Sequence, residues 1–450
     1  MDISIKNGVI INAHDTFKAD IGIQNGKIVA IGEDITGFEN IDASGKYILP
    51  GLIEIQTQFE SPFGNTRSID NFFTGTRSAA CGGVTTILDV ATPNRDETLA
   101  EAIKARKQLA DPQVVIDYGL HAGITYVNDV ILNELTGLVN SGIPSFECFM
   151  MSHDPAIVMD DKSLLKLLAQ IGQSGGLLNI HCGNQAVLQY FSEQYPLDQE
   201  NALEHYPDLC PPFSESEAMY RVLTFAEQFN SAAYITSVSS RSALSEVLDN
   251  YSTNPLIYAG TALHYLTHTA EAYATPEGRN YVTLPPLRSK EDKASLWKGI
   301  RNGAIQIVSS AHRAFTQEQK KLGTDLASIP AGMATIETLL PVMYQLGVVG
   351  KHINLMQLVA VLSTNPAKIF GLPNKGSVSV GKDADLVIFD PTNRRTIGRS
   401  TLHGESDYCI YEGLEVQGYQ EMTFSHGKIV YDSNRFTGEQ GAGNFVPRSL

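Results

Sequence analysis

Apolar and polar positions alternate over the first fifty residues. Ile3, Ile5, Val9 and Ile11 keep near period two around Asn7-Gly8, and Ile21, Ile23, Ile28 and Ile31 repeat it around Asn25-Gly26. That period buries one face of a strand, and Asn-Gly favours the left-handed backbone of a tight hairpin turn. The texture returns in KGSVSVGKDADLVIFDP (375–391) and MTFSHGKIVYD (422–432). These end segments are read as one small β-sandwich made of residues 1–49 and 377–450.

Between them the pattern changes. Apolar runs occur at 51–55, 84–90, 113–124, 145–150, 176–182, 232–238, 254–260 and 305–310. Stretches with helical spacing follow, such as ETLAEAIKARKQLA (97–110) and SESEAMYRVLTFAEQF (214–229). Eight strands alternating with helices predict an α/β fold, a parallel (β/α)8 TIM barrel over residues 50–376. A doubly wound open sheet is the competing arrangement, and the count of eight favours the barrel. Reactive groups of such a barrel sit at the C-terminal ends of its strands, which selects the positions to inspect.

Composition narrows the partners. The 450 residues are 43% hydrophobic and 18% charged, with a formal net charge of −16. That acidity argues against nucleic acid or an anionic membrane as the main partner. The five cysteines, Cys81, Cys148, Cys182, Cys210 and Cys409, are scattered and odd in number, as expected of reduced thiols in a cytoplasmic protein. The start, MDISIKNGVIIN, has no charged stretch leading into an apolar run, so no signal peptide is expected. No apolar run reaches the roughly 20 residues of a membrane span.

The strand ends carry a resemblance. YILPGLIEIQTQFESPFGN (47–65) is similar to the opening of the amidohydrolase barrel, where a Leu-Pro-Gly-Leu-Ile-Asp run leads into two metal-binding histidines. Gln56 and Gln58 stand in their places. GIPSFECFMMS (142–152) resembles the segment of the dihydropyrimidinase and hydantoinase family that carries a metal-bridging carboxylated lysine and a tyrosine. Glu147 and Ser152 occupy those positions. LLNIHCGN (177–184) retains a histidine ligand as His181, and Gly183 follows where a glutamate is usual. The next histidine corresponds to Ser237, the substrate-holding serine to Leu284, the aspartate ligand to Ala311 and the substrate-holding asparagine to Ala331. STNPAKIFGL and VGKDADLVIFDP match the family framework, and the resemblance covers nearly the whole chain.

What the resemblance implies is two-sided. The family hydrolyses cyclic amides with two metals, yet five of six ligand positions are altered here. One expectation is a noncatalytic scaffold or regulatory subunit. The alternative is a hydrolase of cyclic-amide C–N bonds, acting on a hydantoin, dihydropyrimidine or related ureide by mononuclear or metal-free chemistry. The candidate catalytic residues are Glu147 and His181. No cofactor is expected, with one divalent metal at Glu147 and His181 as the alternative. The family also implies a homo-oligomer, a tetramer or dimer, with a small cyclic amide or ureide as ligand and a paralogous enzyme as a further partner.

Other residues carry simpler expectations. His312 directly follows Ala311 and should face away from the site, because strand neighbours alternate. Cys148 and Cys182 adjoin site positions and should face into packing. His121 is read as structural. His153 and His264 lie just beyond strand ends and are read as loop histidines that either line the mouth or meet solvent.

Overall fold

The computed structural model describes residues 1–197, 201–251 and 254–450, apart from the side chain of Tyr251. Eight parallel strands form the barrel sheet in sequential order. They are β1 (Leu52–Thr57), β2 (Val84–Ala91), β3 (Asp117–Gly123), β4 (Ser145–Phe149), β5 (Leu177–His181), β6 (Ala232–Ile235), β7 (Ile257–Ala262) and β8 (Ile307–Ser309). A parallel bridge between Thr57 and His312 brings the end of β1 to the chain leaving β8, so the ring nearly closes. The barrel was the expected arrangement; the open sheet was not.

Helices on the outside read as their spacing predicts. The helix Leu99–Ala110 starts with a reciprocal capping box in which Thr98 and Glu101 satisfy each other's backbone N–H groups. It buries Leu99, Ala102, Ile103 and Ala110 while its charged face meets solvent. Among the described residues no helix is long and apolar enough to cross a membrane.

Both ends of the chain build the second layer. Strands from residues 3–42 form a four-stranded sheet. A seven-stranded sheet joins Val9–Ile11, Thr16–Lys18 and Tyr47–Pro50 to four strands of residues 386–436. Ile5, Ile10, Ile23, Ile48, Ile388 and Phe424 pack between the sheets in a core separate from the barrel's. The hairpin at Asn25-Gly26 forms, with φ of 50° and 75°. Asn7-Gly8 does not make one. There the chain crosses from the four-stranded sheet to the seven-stranded one, with Asn7 at φ 64° making the bend. Residues 443–449 leave the sandwich and run beneath the barrel, where the N–H of Tyr118 bonds to the carbonyl of Asn444 and that of Val446 to the carbonyl of Tyr118.

Candidate functional site

The C-terminal ends of the strands open into a cavity of about 110 Å³. Gln56 and Gln58 enter it from β1, His181 from β5, and Ser237 and Ala311 from the chain just past β6 and β8. Ser152, Leu284 and Ala331 come from the loops above. Glu147 lies at the floor, 1% exposed, below the residues that line the cavity. Eight of the nine positions singled out from the sequence therefore share one cavity wall, and the ninth sits directly beneath.

His181 is held from three sides. Phe149 pairs with it in register across β4 and β5 and stacks on its ring, with centroids 4.6 Å apart. Its Nε2 lies 3.2 Å from Nε2 of Gln56 and 3.3 Å from Oε1 of Glu147. A bare ring nitrogen against a carboxylate oxygen is repulsive, so Nε2 carries the proton, and a half-turn of the Gln56 amide gives it a second acceptor. Burial pushes the Glu147 carboxyl up, and the His181 imidazole beside it outweighs burial and holds it below its ordinary value. Nδ1 of His181 has no partner among the described residues.

The cavity keeps backbone geometry that its side chains do not need. Ser237 and Ala311 sit at φ 55° and 51°, a region that costs non-glycine residues strain. The Ser152 hydroxyl is occupied as acceptor for the N–H of Asp154 at 3.1 Å. Gly183 fits because nothing larger would: a Cβ there would lie 2.6 Å from Cε of Met151 and 2.8 Å from its Cβ. Met151 fills that corner.

The remaining expectations divide. His312 faces away, with Nε2 at 2.9 Å from Oδ2 of Asp70 and Nδ1 accepting from Thr335 N–H. His121 is fully buried and structural: Nε2 donates to the Ile55 carbonyl, and Nδ1 accepts from Asn179 and Ser145. Burial pushes its imidazole down to about 4. Cys148 packs inside as expected, but Cys182 lines the cavity, because the chain turns out of β5 directly after His181 and alternation ends there. His153 and His264 line the cavity rather than meeting solvent, and burial pushes them down to about 4 and 3.

Three residues escaped the sequence reading. Phe149 was legible, since it stands two residues after Glu147 and shares its strand face. Arg313 was legible in the same way, two residues after Ala311, and it lines the cavity. Glu54 was legible too, two residues before Gln56 on the same strand face. It is fully buried beneath β1 and β8, accepts from the N–H groups of Gln56 at 2.8 Å and Ser310 at 2.6 Å, and is pushed up to about 7 by burial.

The donor set does not fit a pair of divalent cations. Such a centre needs imidazoles and carboxylates converging from several strands. Here two glutamine amides, a serine hydroxyl and an alanine methyl replace them around one Glu–His pair. Among the described residues, trios of histidine, cysteine or carboxylate atoms close enough to share an ion lie elsewhere, at Cys81–Glu337–His403 and Asp117–Asp383–His426.

Comparison with known proteins agrees with the fold and the framework. The chain is 37% identical to the D-hydantoinase of Ralstonia pickettii over 454 aligned positions, covering 100% of this chain and 99% of the relative. It is 37% identical to the D-hydantoinase of Geobacillus stearothermophilus, covering 99% and 96%. The crystal structure of dihydropyrimidinase from Brevibacillus agri NCHU1002 superposes with a TM-score of 0.97 at 37% identity, covering 100% and 99%. Residues 47–430 match the amidohydrolase family, and the chain belongs to it, among its D-hydantoinase and dihydropyrimidinase homologues.

Proposed function

We propose that this protein hydrolyses the C–N bond of a cyclic amide, a hydantoin, dihydropyrimidine or related ureide, using Glu147 and His181 in place of the binuclear centre. The observation that carries this reading is the Glu147–His181 pair at the floor of an open cavity, in a chain whose full-length relatives are hydantoinases. With Nε2–H directed at Glu147, Nδ1 is the basic nitrogen. It takes a proton from water as that water attacks the ring carbonyl, and Glu147 stabilises the imidazolium. The same imidazolium returns the proton to the departing ring nitrogen. The Gln58 amide, facing the cavity, supplies a donor for the oxyanion.

A second reading, a noncatalytic scaffold or regulatory subunit, is favoured by one observation: three strand ends present Gln56, Gln58, Ser237 and Ala311 where metal chemistry needs ligands. One experiment separates the two. Protein purified without chelator is assayed for metal by plasma mass spectrometry and for opening of hydantoin and dihydrouracil rings. Ring opening that survives chelation and falls ~10²–10⁴-fold in His181→Ala supports the hydrolase. No ring opening supports the scaffold. Two tightly held metals with turnover would defeat the donor-set argument.

A further inference from the structure

The cavity wall carries a positive charge that no carboxylate among the described residues meets. Arg313 follows β8 and lines the cavity. Its guanidinium lies over the rings of Phe63 and Phe315, 5.1 and 5.7 Å from their centroids. Nη2 donates to the carbonyl of Pro62 at 2.6 Å and, more weakly, to Oγ of Ser61 at 3.4 Å. Among the described residues no carboxylate pairs with it, and its buried Nε has no hydrogen-bond partner. Gly332 makes this placement possible: at φ 145° its hydrogen faces Arg313, where a Cβ would come within 2.5 Å of the Arg313 carbonyl oxygen.

A second cation lies behind that wall. Lys320 is 1% exposed, and its ammonium donates to the carbonyls of Val282 at 3.2 Å, Pro330 at 2.7 Å and Gly332 at 2.7 Å, with no carboxylate in reach among the described residues. On the same cavity, His264 is 2% exposed with neither ring nitrogen hydrogen-bonded. Burying cations without a counter-charge is unfavourable, and the nearest acid lining or flooring the cavity, Glu147, already serves His181.

We propose that the cavity takes an anionic ligand, a cyclic amide or ureide bearing a carboxylate, with Arg313 meeting the charge and His264 completing its hydrogen bonds. A neutral ring leaves the guanidinium as it is; a carboxylate gives it the charge-assisted partner it lacks. The inference rests on the reading that this cavity receives cyclic amides, and it makes Arg313 the residue that selects among them.

Calorimetric titration of the full chain with hydantoin-5-acetate, 5-ethylhydantoin and acetate tests it. The acidic ring binds at least ~10-fold more tightly than its neutral counterpart, the minimum expected of a charge-assisted pair in a screened cavity. Arg313→Gln removes that preference, lowering affinity for the acidic ring by at least ~10-fold more than for 5-ethylhydantoin, while Arg313→Lys keeps part of it; melting curves establish that both variants fold. Equal affinity for the two rings, a preference that persists in Arg313→Gln, or no binding of the acidic ring would overturn the proposal. Acetate binding as tightly as the acidic ring would overturn it too, by showing a bare anion site. Preferential binding without ring opening would sink the hydrolase reading alone. Turnover of neutral rings with no preference would sink this inference alone.

Discussion

The two ends of the barrel differ in how many carboxylates they bury beside their cations. At the base, Lys375 lies 2.7 Å from Asp117 and 3.5 Å from Asp383 and also bonds Asp385, while His426 holds Asp117 from the other side at 2.6 Å. Burial pushes the Asp117 carboxyl up, but His426 and Lys375 outweigh it and hold it down at about 2. At the mouth, the half-buried Arg313 and the buried Lys320 have carbonyls and rings as their company. The base joins barrel, sandwich and the residue 443–449 segment, and its carboxylates Asp117, Asp383 and Asp385 share Lys375 and His426, while Arg448 beside them is buried against the carbonyls of Phe370 and Leu120. Among the described residues the mouth has no such cluster of carboxylates: the acid at its floor, Glu147, is engaged with His181.

Lys375→Met attacks the carboxylate-rich side of this contrast and carries the largest expected effect. Three carboxylates lose their common cation, at a cost of about 3–5 kcal/mol in urea unfolding. A loss below ~1 kcal/mol would mean that the base is no better compensated than the mouth. Gly183→Ala tests steric rather than electrostatic constraint at the mouth. Its new methyl meets Met151, and overpacking of this kind costs about 1–3 kcal/mol. An unchanged melting temperature would show that Met151 swings away freely.

Acid separates the buried barrel histidines from His426 by sign. His121, His153 and His264 have folded values below the unfolded 6.5, so their stabilisation is present above pH 6.5 and is lost as pH falls towards about 4 and 3. Each contributes a slope of ~1.4 kcal/mol per pH unit in that window. His264→Phe should flatten the acid limb of the unfolding profile by one such slope, and an unaltered limb would show that the ring is already charged. His426 is raised by its bond to Asp117, so its contribution is present below pH 6.5 and fades as pH rises through its folded value. His426→Gln should therefore change the alkaline limb and spare the acid one. The smallest effect belongs to the retained strain: Ala311→Gly is expected to stabilise by up to ~1 kcal/mol, because glycine adopts φ 51° without penalty. Destabilisation would mean that the Ala311 methyl packs usefully.

Much of this was legible before any coordinates. Continuous apolar runs located all eight barrel strands, since a buried parallel strand must be apolar along its length, and the strand-end rule then gathered Gln56, Glu147, His181, Ser237 and Ala311 at one mouth. What stayed hidden depends on partners distant in sequence. Lys320 looks like a surface lysine in a polar stretch, and only the folded backbone delivers three carbonyls to it. Cys182 was misplaced because strand alternation stops where β5 ends, a boundary that apolar pattern alone marks poorly. Asn7-Gly8 has the composition of a hairpin turn but joins two sheets, and the choice is made by Ile10 and Ile48 packing in the seven-stranded sheet.

The antiparallel pairing of Tyr47–Pro50 with Leu386–Phe389 fastens together segments more than three hundred residues apart. Closing so long a loop is entropically costly, but that cost grows only with the logarithm of its length. Adding some forty residues to the loops around the mouth would change it by only ~0.1 kcal/mol. The clasp thus frees the mouth to gain, lose or exchange loops over evolutionary time without endangering the closure of the chain.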